Sequence, residues 1–132
     1  MSAKAFLDTS VLIYGIHKDD PRADVAEALL AGGCLINVQV LNEFVSVAVR
    51  KLRMPREEIT RALDFIRRMC PNPEPVTIEK ALGIARRHGY GIFDALLIAA
   101  ALIASCTTLY SEDLRDGQTI EGLTIRNPFR KM

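Results

Sequence analysis

Apolar positions in this chain follow two rhythms. Short unbroken runs alternate with longer stretches in which apolar residues return every three or four positions. Ala5-Phe6-Leu7 is the first short run, and it predicts a strand over about Lys4 to Leu7 followed by a helical segment from Thr9 to Ile16. Asp19-Asp20-Pro21 reads as a helix start, with an aspartate cap and a proline in the first turn. That helix is expected to reach Leu30, to turn Val25, Ala28 and Leu29 inward, and to end at Gly32-Gly33. Cys34-Leu35-Ile36-Asn37 predicts a second short buried strand. From Val38 to about Leu52, a stripe of Leu41, Phe44, Val45, Ala48 and Leu52 predicts a helix that Met54-Pro55 breaks. Arg56 to Cys70 repeats the pattern with Ile59, Leu63, Ile66 and Met69. Its charges suit the helix dipole, with Glu57 and Glu58 early and Arg67 and Arg68 late.

Pro71-Asn72-Pro73-Glu74-Pro75 is a proline-dense linker too short to separate domains. Val76 is expected to be extended, and Thr77 to cap a helix that runs to about His88 and closes at Gly89. The run Ala95 to Ala104 is apolar on every side, which predicts a central buried helix. Thr107 to Tyr110 predicts a strand, Ser111 to Gly117 a polar loop, and Leu123-Thr124-Ile125 a last, edge-like strand. Strands alternating with helices point to an α/β fold, a parallel sheet with helices on both faces. The 132 residues are expected to form a single domain, residues 1–132.

Composition adds exclusions. With 49% apolar and 25% charged residues, the chain has the balance of a folded soluble domain. The longest apolar run is too short for a membrane span, and the N-terminus lacks a secretory signal pattern, so a cytoplasmic location away from membranes is the expectation. Cys34, Cys70 and Cys106 are widely spaced and form no CxxC pair, which suggests buried packing residues. The net charge of +1 conceals an asymmetry: setting four of the 16 acids in one pocket leaves 12 acids against 17 basic groups. A mildly basic surface around an acidic pocket is compatible with a phosphodiester substrate.

Four acids occupy similar settings. Asp8 ends the first strand, Glu43 lies near the start of the helix after the second, Asp94 begins the apolar helix, and Asp113 follows the strand ending at Tyr110. In a parallel sheet those ends share one edge, so all four can face one crevice. Two unit charges about 4 Å apart repel by roughly 4 kcal/mol at an effective dielectric of 20, so such a cluster requires protonation or a cation between its members. All-oxygen ligands favour Mg2+ or Mn2+, and such ions activate water against a phosphodiester. Each acid also has an ordinary reading: Asp94 as a helix cap, Asp8 as a turn acceptor, Glu43 as a solvated helix edge, Asp113 as a loop residue.

Four segments, in order, carry a resemblance: Leu7-Asp8-Thr9-Ser10-Val11-Leu12, Gln39-Val40-Leu41-Asn42-Glu43-Phe44, Phe93-Asp94-Ala95-Leu96-Leu97-Ile98-Ala99-Ala100-Ala101 and Leu109-Tyr110-Ser111-Glu112-Asp113-Leu114. Together they resemble the PIN-domain family, and most closely the VapC-type ribonuclease toxins of toxin–antitoxin modules. The resemblance implies a PIN-like three-layer α/β/α fold with a five-stranded, mainly parallel sheet. It implies a Mg2+- or Mn2+-dependent endoribonuclease acting on RNA, a homodimer, and a cognate antitoxin. It places Asp8, Glu43, Asp94 and Asp113 as the catalytic, metal-holding acids, Ser10 as a residue orienting Asp8 or a water, and Asp116 as a loosely matched further acid.

Arg50, Lys51 and Arg53, with Arg56, cluster at the Met54-Pro55 break, either as phosphate contacts or as a solvated helix end. Arg86-Arg87-His88 and Arg126, Arg130 and Lys131 are equally open. Apolar faces over Val40 to Leu52 and Ile59 to Met69 are compatible with a groove for a partner helix. Ser10 and Ser111 lack a Ser/His/Asp arrangement, and Gly89-Tyr90-Gly91 is followed by no Gly-Lys-Ser/Thr to cradle phosphate. Two other functions stay open: a phosphohydrolase with Asp8 as nucleophile, and a non-catalytic RNA- or protein-binding module.

Overall fold

The structure is a computed structural model, and it describes residues 4–17, 19–71, 73 and 77–130. Val76, Lys131 and most of the proline linker lie outside the described residues. The chain begins with β1 (Ala5–Leu7), α1 (Thr9–Ile16), α2 (Arg22–Ala31), α3 (Val38–Arg50) and α4 (Arg56–Met69). It continues with α5 (Ile78–His88), α6 (Ile92–Ile103), β2 (Thr108–Tyr110), β3 (Thr119–Ile120) and β4 (Leu123–Arg126).

The strands form one mixed sheet in the order β1-β2-β4-β3. Pairing is parallel between β1 and β2 and between β2 and β4, with Leu7 beside Tyr110 and Tyr110 beside Arg126. The sheet has four strands among the described residues, where five were expected. Cys34 to Asn37 contributes only a parallel bridge from Leu35 to Phe6. Two features cut that segment short. Gly33 arrives in a left-handed conformation (φ 83°), and Asn37 already caps α3 by accepting from the Val40 amide at 2.8 Å.

β4 is not the edge that the sequence predicts. It lies between β2 and the antiparallel β3, a strand the hydrophobic pattern does not announce. The reversal runs through Glu121 (φ 49°) and Gly122 (φ 91°), a two-residue turn with both residues left-handed. Glu-Gly is a weaker hairpin signal than Asn-Gly or Asp-Gly, and two residues are too few to show alternation.

The apolar run behaves as its composition requires. Ala95 through Ala101 are all buried, and α6 packs on α5, α3 and β2. α2 turns Ala23, Ala26 and Leu30 inward, with Val25 and Leu29 only partly covered and Ala28 exposed, so its buried face is rotated from the expected one. The reason is a close approach to α1: a Cβ on Gly15 would stand 2.7 Å from Leu30 Cδ1. The small Ala26 then fits where a larger side chain would not. α2 starts at Arg22, so Pro21 occupies the cap position rather than the first turn; Asp20, one residue earlier, still contributes by accepting from the Arg22 amide at 2.9 Å. α5 closes on Gly89 (φ 73°) as predicted, although Thr77 makes no side-chain capping bond.

Candidate active site

The parallel pairing of β1 with β2 sets two residues side by side at the carboxyl edge of the sheet. The Asp8 amide donates to the Tyr110 carbonyl at 2.9 Å, and the Ser111 amide donates to the Arg126 carbonyl at 3.0 Å. Asp8 and Ser111 therefore leave neighbouring strands at the same level. Ser111 Oγ donates to Asp8 Oδ2 at 2.6 Å. The same oxygen accepts from the Asp113 and Leu114 amides at 3.1 and 3.2 Å. With both acceptor directions occupied, its single hydrogen is directed at Asp8. The other carboxylate oxygen of Asp8 accepts from the Thr9 amide at 2.6 Å, so Asp8 is also the N-cap of α1. The capping role and the site role coexist in one side chain.

Asp8 is buried, and burial is the main reason its pKa is pushed up to about 6; the Ser111 and Thr9 hydrogen bonds oppose that rise, while the charges of Asp113 and Glu43 add to it. Asp94 is also raised, first by burial and then by Asp113. Asp94 does not cap α6. Gly91 holds the cap position, and Asp94 stands in the first turn beyond it. Glu43 lies near the start of α3, as expected, just past its first turn. Thr9 Oγ1 donates to one of its oxygens at 3.4 Å and Gln39 Nε2 to the other at 3.3 Å.

Asp8 and Glu43 form a ridge between two adjoining crevices. The larger, about 450 Å³, adds Gln39, Asn42, Arg50, Phe93 and Asp94 to the ridge. The smaller, about 320 Å³, adds Ser10, Tyr14, Lys51, Glu112 and Asp113. The four acids thus line two adjoining crevices, with Asp94 in the larger and Asp113 in the smaller. None of the four has an ion-pair partner among the described residues. As they stand, no three His, Cys, Asp or Glu side chains among the described residues are gathered closely enough to hold a metal ion on protein ligands alone. The donor set itself is all oxygen, mutually repelling and unpaired, which fits a hard divalent cation that keeps several of its waters.

Other predicted residues separate cleanly. Ser10 makes its hydrogen bond to the loop after β2 rather than to Asp8. Its Oγ accepts from the Glu112 amide at 3.2 Å and so steadies the loop that carries Asp113. Asp116 is turned away, accepting from the Asn127 amide at 2.8 Å and from Arg130 Nη1 at 3.1 Å. Arg50 and Lys51 line opposite crevices, whereas Arg53 lines neither. Ser111 is the functional residue that sequence reasoning missed. Its signal was a hydroxyl directly after a strand, in register with Asp8, and it was weighed only as a nucleophile.

A carboxylate crevice at the carboxyl edge of a parallel α/β sheet defines a class of protein. The chain belongs to the PIN domain family, whose model matches residues 5–116. Among solved structures it is similar to a chain of a toxin–antitoxin complex from Klebsiella pneumoniae, at 17% identity and a TM-score of 0.72, covering 96% of this chain and 98% of that one. It is also similar to Mycobacterium tuberculosis VapC20, a sarcin–ricin loop cleaving toxin, at 23% identity and a TM-score of 0.61, covering 83% and 90%. At those identities the likeness establishes the shared fold. No curated protein matches the chain.

Proposed function

We propose that this PIN domain is a divalent-metal-dependent endoribonuclease and the toxin of a toxin–antitoxin pair, acting in the cytoplasm. The observation that carries the reading is the set of four unpaired acids lining two adjoining crevices, with Asp8 buried among them and its charge opposed by Asp113 and Glu43. Asp8, Glu43, Asp94 and Asp113 would hold Mg2+ or Mn2+. When bound, such an ion supplies Lewis acidity toward water and toward the departing oxygen of a phosphodiester. The remaining work belongs to the chain's own side chains. Ser111 and Thr9 fix the Asp8 carboxylate, and Gln39 and Thr9 fix Glu43. Arg50 and Lys51, which line one crevice each, would meet phosphates on either side of the ridge.

The antitoxin part of the proposal is supported by the Klebsiella pneumoniae neighbour, which belongs to such a complex, and by a groove of about 290 Å³ in which Ile16, Met54, Ala62 and Phe65 are joined by the charged Glu58 and Arg61. A homodimer is supported by Ile78 and Leu82, exposed one turn apart on α5. The decisive experiment assays RNA cleavage by Asp8→Asn and Asp94→Asn with magnesium or manganese, alongside calorimetric titration of manganese. Loss of cleavage and weakened metal binding are expected. Full activity in either variant, or no metal binding by the wild type, would overturn the proposal.

A further inference from the structure

Of the five Phe and three Tyr side chains, only Phe93 stands largely in solvent, 62% exposed. It directly precedes Asp94, in the first turn of α6, and it lines the larger crevice. A stray exposed aromatic would lie anywhere on the surface. This one borders the acid ridge.

The rest of the lining distinguishes two kinds of occupant. A protein partner buries an apolar centre from which charge is depleted. Here the ring shares its crevice with Gln39, Asn42 and Arg50, and with carboxylates. Amides offer both donors and acceptors to a base edge, and a guanidinium pairs with phosphate. An aromatic platform flanked by amides and a cation is the chemistry that recognises unstacked bases of single-stranded RNA. The volume, about 450 Å³, lies within the range of small-molecule sites.

We infer that the Phe93 crevice is a nucleobase subsite, in which one base next to the scissile phosphate stacks on the Phe93 ring while Asn42 and Gln39 face its edge. The inference rests on the ribonuclease reading for the position of the phosphate, on the Asp8–Glu43 ridge. It adds a requirement for single-stranded substrate and a source of sequence preference. Gln39 also donates to Glu43, so the amide that faces the base is tied to a site acid.

The chain contains no tryptophan, so Phe93→Trp introduces a lone fluorophore at the subsite. Short single-stranded RNA, with calcium in place of magnesium, is expected to quench it. An oligomer with an abasic sugar beside the cleaved bond is expected not to. Phe93→Ala is expected to raise the Kd for that RNA by about 5- to 150-fold, the effect of losing one base–aromatic stack. An unquenched tryptophan, or unchanged affinity in Phe93→Ala, would overturn the subsite. So would conversion of a dimer to monomers by Phe93→Ala with RNA affinity per chain preserved, since the ring would then belong to a second copy. Quenching in Phe93→Trp and tight RNA binding by the wild type, together with no RNA cleavage by the wild type, would support the subsite and refute the ribonuclease reading. Cleavage indifferent to Phe93 would do the reverse.

Discussion

Two sets of carboxylates lie within a few residues of each other and are treated in opposite ways. Glu112, between Ser111 and Asp113, accepts from Arg22 Nη1 at 2.7 Å and from the Tyr14 hydroxyl at 2.9 Å. The same guanidinium pairs with Asp20 at 2.6 Å and lies 4.4 Å over the Tyr14 ring. Asp116 pairs with Arg130, and Glu121 with Lys80 and Arg87. Cations are thus close at hand, and they pair with Asp20, Glu112, Asp116 and Glu121, while Asp8, Glu43, Asp94 and Asp113 have no ion-pair partner among the described residues. Solvation explains an exposed unpaired carboxylate, but it does not explain Asp8, which is buried. Buried unpaired acid beside more acid is a mark of a site rather than of a stabilising network.

The largest expected effect falls on the unpaired set. Asp8→Asn and Asp94→Asn should each lower RNA cleavage by about 100- to 1,000-fold, on the scale of removing one electrostatic contribution to a transition state. The corresponding change in the paired set, Asp116→Asn, should leave cleavage within a few-fold of wild type. Single-turnover assays with magnesium or manganese measure both.

Next comes pH. Asp8 titrates at about 6 in the folded chain against an ordinary value of 3.8, so the folded state holds its proton more tightly. Stability of the metal-free chain is then greatest below about pH 4 as far as this group is concerned, and it is lost as pH rises toward and through 6. The loss approaches about 3 kcal/mol. Asp94 acts in the same direction. Asp20 acts in the opposite one: its Arg22 hydrogen bonds hold it down at about 2, so its contribution is present above its ordinary pKa and disappears as pH falls through that lower value. Thermal melts in chelator from pH 4 to 7 should decline, and Asp8→Asn should flatten the decline. Manganese at 100 times its Kd should restore about 2.7 kcal/mol at pH 7.

Ser111→Ala comes third. It removes the hydrogen directed at Asp8 and leaves two loop amides without their acceptor, which should cost about 1–3 kcal/mol in denaturant unfolding. It should also move the acid limb of the pH–rate profile upward, because a hydrogen bond that lowers the Asp8 pKa is gone. The smallest effect is expected in the paired set. Arg22→Ala should cost about 1 kcal/mol or less, since its ion pairs are partly solvated, and it should leave the Asp8 titration in place. If Arg22→Ala abolished metal binding instead, the division between the two sets would fail.

How much of this was legible beforehand depended on the length of the signal. α3, α4 and α6 were readable because each repeats its pattern over three or more turns. The four acids were readable because each lies near the start of such an element or just past the end of a strand. What escaped detection depended on register. Ser111 serves Asp8 only because β1 and β2 pair in parallel with Leu7 beside Tyr110, and no local pattern encodes that alignment. Ser10 was expected to orient Asp8 or a water, and the hydrogen bond to Asp8 comes instead from Ser111, since neighbours in sequence are easier to see than neighbours across a sheet. The buried face of α2 was misplaced for a similar reason: Gly15 on α1 determines how close α2 comes, and its influence is invisible within α2 itself. Cys34, Cys70 and Cys106, read as packing residues, are indeed buried and free of disulfides.

The two-residue β3 has one more consequence. Edge strands expose rows of unsatisfied amides and carbonyls that can template another chain. Here the outer border of the sheet is Thr119–Ile120, too short to hold a foreign strand in register, and it is reversed by a turn at once. The opposite border, β1, is shielded where Leu35 exchanges hydrogen bonds with Ala5 and Leu7 at 2.9 Å. Among the described residues the sheet therefore offers no long border for growth. That shields a chain with a strongly apolar centre from strand-by-strand aggregation, and it leaves helices and loops as the surfaces through which it can meet other molecules.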